Sequence, residues 1–429
     1  MLTSGEKTRQ STFASLQIPN FRLFAASQVL SNTGAWMQRV AQDWVVLELT
    51  NSPTAVGITT AMQFLPMLVF GLFGGLIADR YPKRRLLLIT QSCAGLLAAT
   101  LAVLILSGTV AVWEIYLVAF MLGLVTVVDN PTRQLFVNEM VGPRYLRNAI
   151  SLNSSVFQLG GLIGPAVSGL LINAVGAGWS FAINAVSYLA VLTALTLIDT
   201  DTLTPIVPTP RAPGQLREGL AYVASRPQLI WPIVLVACVG SIGLNMPIVL
   251  STYAKNVFHT GPGGYGLLNS MLALGSMAGA LYSARRTTNR LRSLVAAAGV
   301  FGTLEAVTAL APNPETYALL LVAVGAAALT FLTAANSGVQ MATEDTIRGR
   351  VMSLYMLVLI GGTPLGAPII GLVTEHIGPR YGMLTCGTFP ALAAVAVGLW
   401  LKHSARLKFR VAWHPVHARK LITVGPRLP

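Results

Sequence analysis

The stretch "GGLIADRYPKRR", Gly74 to Arg85, changes character halfway along. Its first half ends an apolar run that begins near Ala55. Its second half packs four cations, Arg80, Lys83, Arg84 and Arg85, into six positions just after a single acid, Asp79. An apolar run long enough to cross a bilayer that stops at a cationic turn reads as the edge of a membrane span.

Counting outward from that turn gives the same pattern along the chain. Of 429 residues, 54% are hydrophobic and only 10% charged, where a soluble domain carries roughly a quarter. Apolar runs of about 20 residues, enough to cross about 30 Å of hydrocarbon at about 1.5 Å per residue, occur at 21–48, 55–79, 86–107, 113–135, 148–174, 179–198, 229–254, 263–285, 291–311, 315–340, 350–374 and 380–401. The sequence thus predicts an all-α membrane protein with twelve spanning helices. A spanning β-barrel is excluded, because its strands alternate over about ten residues and these runs are longer and uniformly apolar. Residues 1–20 lack a long apolar core and a small-residue cleavage site, so no cleavable signal peptide is expected.

A net charge of +14 would suit nucleic acid, but the cations sit elsewhere. With the N-terminus inside, 26 of the 29 Lys and Arg fall in inner segments, Lys255 and Arg380 fall outside, and Arg39 lies within helix one. The positive-inside rule then puts both termini in the cytoplasm of a cell (inner, plasma) membrane protein, with lipid and not nucleic acid as its partner. Cys93, Cys238 and Cys386 stand singly in predicted helices, and His414 and His417 have no acidic or thiol companions, so no metal or cofactor is expected.

Residues 199–228 hold five prolines and read as a linker, with a short amphipathic helix around Gln215 to Ser225. It separates a six-helix bundle over 1–198 from a second over 229–401, followed by a basic tail, 402–429. A shift of 202 positions superimposes Gly160 on Gly362, Gly164 on Gly366, Gly169 on Gly371 and Gly176 on Gly378. A shift of 205 sets "GGLIADRYPKRRL" against "GALYSARRTTNRL", with Ala284 where Asp79 stands. Duplicated halves in a membrane are the mark of a transporter that rocks about a site between them.

The charged turn resembles the signature between helices two and three of the major facilitator superfamily, G-x-x-x-D-R-x-G-R-K/R. Gly75, Asp79, Arg80, Arg84 and Arg85 fit, and Pro82 replaces the usual glycine. The resemblance implies a cytoplasmic gate in which Asp79 meets the N-terminal end of a helix starting near Arg350; the alternative is that Asp79 only ends helix two. "GGLIGPAVSGLL", with Gly160, Gly164, Pro165 and Gly169, resembles the helix-five motif of the antiporter branch, with Ser168 in place of one glycine. Over residues 20–400 the chain is similar to the branch holding the enterobactin exporter and macrolide efflux proteins, as "DNPTRQLFVNEMV" and "RGRVMSLYML" illustrate. The resemblance implies a proton-coupled, monomeric exporter of small molecules.

Candidate site residues follow from charge and amide placement. Helix one carries Asn32, Trp36, Arg39 and Asp43 at helical spacing, widened by Gln38 and Gln42. A charge facing lipid at mid-helix costs about 2.5–3.5 kcal/mol on an insertion scale, so this face is expected to turn inward. There Asp43 either carries a coupling proton or forms a static ion pair with Arg39. Asp129 and Arg133 are placed at the inner gate, away from cargo. Glu305 is the only acid well inside helix nine, a second proton candidate or a structural group. Gln63, Phe64, Asn245 and Tyr253 complete the expected cavity, since helices two and seven line the path in the family that the chain resembles. Few unpaired charges suit a lipophilic or amphipathic cargo such as a drug or siderophore-like metabolite. An importer, a receptor or the membrane subunit of an ATP-driven pump are the alternatives; no phosphate-binding loop or catalytic cluster points to an enzyme.

Overall fold

A computed structural model describes residues 13–204, 215–284, 291–344, 347–404, 407–411 and 422–426. Linker residues 205–214, the second-half counterpart of the charged turn at 285–290, and His414 and His417 lie outside the described residues. Helix α1 runs Pro19–Thr50 and α2 Pro53–Arg80. Their link is encoded locally. Asn51 ends α1 in the left-handed conformation, and Ser52 caps α2 by accepting from Ala55 N, with Pro53 in the first turn. Helix α3 is Lys83–Leu106, α4 Val112–Val175 and α5 Gly178–Leu197. At 64 residues α4 would measure about 96 Å as one rod. It is two spans, broken where Gly142 takes a positive φ of 64° immediately before Pro143.

The linker ends in α6, Gln215–Ala224. Then follow α7 Pro227–Ser241, α8 Met246–Thr252, α9 Gly261–Ala284, α10 Leu291–Thr308, α11 Pro314–Met341, α12 Arg348–Gly361, α13 Thr363–His376 and α14 Pro379–Ser404. Among the described residues ten helical stretches are long and apolar enough to span; the second span of α4 and the more polar α1 bring the total to twelve. Two spans read as continuous are in fact interrupted. The 229–254 run breaks into α7, a 3₁₀ turn at Gly243–Asn245, and α8, while 350–374 breaks between α12 and α13. Pro247 and Pro364 open the new helices, because each lacks the N–H that an interior position needs. The tail departs from an all-helical chain in a small antiparallel pair, β1 Leu407–Val411 with β2 Ile422–Pro426.

The glycine repeat is a structural repeat. Gly160 and Gly164 bring the second span of α4 against α1, at Asn32 and Thr33, and their counterparts Gly362 and Gly366 bring α12 and α13 against Ser241 of α7. Gly169 meets Pro262 and Gly266 of α9 across the halves, and Gly371 meets Pro53 and Thr54 of α2 in the same way. The relation extends to the partners. A Cβ on Gly266 would strike the Pro165 carbonyl, and one on Gly57 would strike that of Ala367, the residue 202 positions on. Gly176 and Gly378 both end their helices at positive φ, 97° and 122°.

The core distinguishes the two faces of the bundle. On the face opposite the termini, first-half residues Val40, Ala41, Trp44–Leu47, Val56, Leu101, Ile115 and Phe181 belong to one apolar cluster with the second half. On the terminal face, the first half keeps a separate cluster around Phe21, Phe24, Leu87, Phe136 and Leu195. Polar contacts follow the same division. On the opposite face, Lys255 Nζ donates to Leu47 O (2.9 Å) and Asn51 Oδ1 (2.7 Å), and Glu375 accepts from Ser52 Oγ (2.5 Å) and Thr54 N (3.1 Å), all across the halves. On the terminal face, Lys83–Glu139 (3.6 Å) stays within the first half, and Arg226–Glu344 (2.9 Å) and Arg350–Glu218 tie α6 and the start of α7 to the second.

Candidate functional site: a cavity between the halves

A cavity of about 800 Å³ lies between the halves towards the terminal face, and all but four of its lining residues come from the first half. Carboxamides dominate the polar lining: Asn32 on α1, Gln91 on α3, and Asn130, Gln134, Asn153 and Gln158 on the two spans of α4. Helical spacing groups two of them, since Asn130 and Gln134 fall one turn apart on a single face.

One ion pair stands in this wall. Arg133 Nε and Nη2 donate to Asp129 Oδ2 at 3.2 and 2.5 Å, and Nη1 donates to Gln28 Oε1. The other carboxylate oxygen accepts from Thr90 Oγ1 and Gln91 Nε2, both at 2.7 Å. A buried pair is tolerated when every remaining lone pair is engaged, and both oxygens of Asp129 are. The sequence reading placed Asp129 and Arg133 at the gate and away from cargo. Both residues line the cavity, on a helix that runs past the expected end at 135 as far as Gly142.

Helix one's charged face divides. Asp43 is buried and accepts from the Tyr265 hydroxyl of α9 at 2.8 Å, across the halves. Arg39 points elsewhere, its guanidinium 4.7 Å from the Trp36 ring centre and 5.8 Å from that of Phe64. No ion pair joins Arg39 to Asp43 among the described residues. Spacing of four permits such a pair, but the carboxylate has found a hydroxyl 222 residues away.

Of the residues expected to form the cavity, Asn32 lines it; Trp36, Gln42, Gln63, Phe64, Asn245 and Tyr253 do not. Gln42 is buried, Asn245 Nδ2 turns back to Ser241 O (2.5 Å), and the Tyr253 hydroxyl bonds Ala309 O (3.2 Å) inside the second half. Glu305 is wholly buried and also away from the cavity, beside Gly302, which packs against Gly387 and Ala391 of α14.

At the charged turn, Gly75 and Asp79 are half-buried and Arg80 is exposed. Arg84 donates to Leu195 O (2.6 Å) and Thr196 O (2.8 Å), capping α5 within the first half. Glu139 is helical and pairs with Lys83. In the helix-five motif, Gly160 and Gly164 serve the contact with α1, while Pro165 and Gly169 serve the contact with α9. Among the described residues no group of His, Cys, Asp and Glu is arranged to hold a metal.

A family profile described as transmembrane secretion effector matches residues 10–414. The enterobactin exporter EntS of Citrobacter koseri is 23% identical over 408 residues, covering 92% of this chain and 94% of that protein. The staphyloferrin A transporter of Staphylococcus aureus is 31% identical over 178 residues, 41% of this chain and 45% of that protein. Among solved structures, a bacterial homologue of the lysosomal transporter Spinster, inward-facing and unoccupied, superimposes with TM-score 0.69 at 15% identity, covering 89% of this chain and 97% of that one. A POT family transporter with 5-aminolevulinic acid gives 0.72 at 11% identity, covering 91% and 97%.

Proposed function

The chain belongs to the transmembrane secretion effector family, and from that membership and the cavity above we propose that it exports small secreted metabolites by alternating access, with protons returning in exchange. It is a multi-pass membrane transporter of the major facilitator fold. One observation carries the reading: the two halves share a core on the face opposite the termini, and a cavity opens between them towards the terminal face. By the positive-inside rule that face is cytoplasmic, so the chain rests with its cavity facing the source of an exported compound. The cargo class we assign is siderophore-like, after the relatives named above.

For the coupling proton we propose Asp43. Its bond to Tyr265 joins the halves near the sealed face, so opening that face exposes the carboxylate, and closing it restores the hydroxyl. We assign the gate role to Asp79, at the end of α2, the helix that packs along α12 and α13. The protein acts as a monomer in the inner (plasma) membrane.

The test is transport in everted vesicles. Enterobactin or staphyloferrin A should accumulate inside them under an imposed interior-acid pH step and not without it; accumulation no greater than in vesicles lacking the protein defeats the proposal. Asp43→Asn should leave a folded protein whose transport ignores the pH step. Gradient-driven transport that survives this change removes Asp43 from the coupling.

A further inference from the structure

Two sets of carboxamide stand out in the membrane-spanning part of the first half, beside Gln42 and Gln63, which belong to neither. Gln38 accepts from Asn184 (2.6 Å), and Gln28 and Gln91 serve the Arg133–Asp129 pair. By contrast Asn32, Asn130, Gln134, Asn153 and Gln158 make no side-chain hydrogen bond among the described residues, and all five line the cavity. Each brings two N–H donors and a carbonyl acceptor. Polar groups inside a membrane face a partner, water or a functional path, and these five have only the cavity to face.

We propose that the cavity recognises an oxygen-rich, hydrogen-bonding ligand through these five carboxamides and Arg133, and that the first half alone sets specificity. The proposal rests on the export reading and deepens it: within the siderophore-like class it names the hydroxyl, carbonyl and carboxylate oxygens as what the cavity reads. Charge does not select the ligand, because Asp129 and Arg133 cancel. Hydrogen bonding does. Arg133 has five N–H bonds, of which three are committed, leaving one on each terminal nitrogen for a ligand oxygen. A purely apolar occupant would strip water from the amides and return nothing, the situation in which a polar site rejects an analogue most strongly.

The second half contributes Ala280, Leu329, Thr333 and Met356, a wall with one hydroxyl. Such a wall fits many shapes and discriminates little; Met in particular adapts to its neighbours.

Calorimetric titration of the purified full chain in nanodiscs tests this, with enterobactin as the oxygen-rich probe and tetraphenylphosphonium as the oily one. Specificity is the ratio of the two affinities. The wild type should bind enterobactin more tightly. Asn153→Leu and Gln158→Leu should each lower the ratio by about tenfold, the effect of one polar group left unpaired, while Leu329→Ala and Met356→Ala should alter both affinities alike and leave the ratio unchanged. Asn153→Gln, which keeps the carboxamide, should retain the wild-type ratio, and size-exclusion profiles check that each variant is folded. Tighter binding of tetraphenylphosphonium by the wild type, binding of neither probe, an unmoved ratio in the first-half variants, or an equal shift in the second-half ones overturns the inference. Vesicle transport of either probe keeps the export reading standing in any of those cases, so the two fail separately.

Discussion

The two faces of the bundle use the same chemistry to opposite ends. Opposite the termini, charged side chains of the second half complete helix ends of the first: Lys255 sits at the carbonyl end of α1, and Glu375 at the amide end of α2. Each charge is opposite in sign to the end of the helix dipole it meets. On the terminal face a helix end is also completed by a charge, but Arg84 and the α5 carbonyls belong to one half. The difference shows which seam is closed. A cation or carboxylate capping across the seam must let go when the seam opens, whereas one capping within a half travels with it.

The largest test of this contrast is steric. Gly266 and Gly169 approach so closely that a Cβ on Gly266 would lie 3.0 Å from the Gly169 Cα and collide with the Pro165 carbonyl. Gly266→Leu should therefore wedge the sealed face apart, since over-packing a close contact costs about 1–3 kcal/mol, enough to shift a two-state balance by about five- to 150-fold. Spin-label distances across the opposite face should lengthen, and vesicle transport should be largely lost. An unchanged distance distribution would mean that this seam is not the one that opens.

Electrostatic release should be milder. An exposed charge at a helix terminus contributes about 0.3–1 kcal/mol, so Glu375→Gln and Lys255→Met should each move the closed-to-open ratio by roughly two- to fivefold. The same spin-label distances report it. The double variant should approach the product of the singles, because the two charges cap different helices. High salt should reduce the effect of either change.

Much of this seam was legible in the sequence, and the cavity was not. Apolar run length gave the spans, and the 202-residue glycine repeat marked close helix approaches, those of Gly169 and Gly371 across the halves and the others within them, because close approach demands a small residue whichever neighbour it faces. Site residues depend on which neighbour that is. The α1 periodicity put Arg39 and Asp43 on one face, but nothing local to either announces that Tyr265 takes the carboxylate. Asp129 was placed by counting residues along helix four, which gives a depth in the membrane but not the face it turns, and that face is on the cavity. The free amides, Asn153 and Gln158, carried one available signal: they stand on the helix-five motif's own helix.

The smallest expected effect lies on the terminal face, where Arg226 meets Glu344 at 2.9 Å with both side chains well exposed. Arg226 caps the start of α7 and Glu344 follows α11, so the pair ties the linker's end to the second half and does not cross to the first, which leaves it no leverage on the balance between faces. Its hydrogen bond to Glu344 raises the Arg226 guanidinium further above its ordinary value. A raised group stabilises the fold at every pH below its unfolded value and loses that contribution only above it, which for a guanidinium lies far into the alkaline range. Arg226→Gln should consequently leave spin-label distances unchanged and introduce no new pH dependence of transport between about pH 5 and pH 9. A conformational shift as large as that of Glu375→Gln would show that the contrast between cross-seam and within-half capping does not govern which face opens.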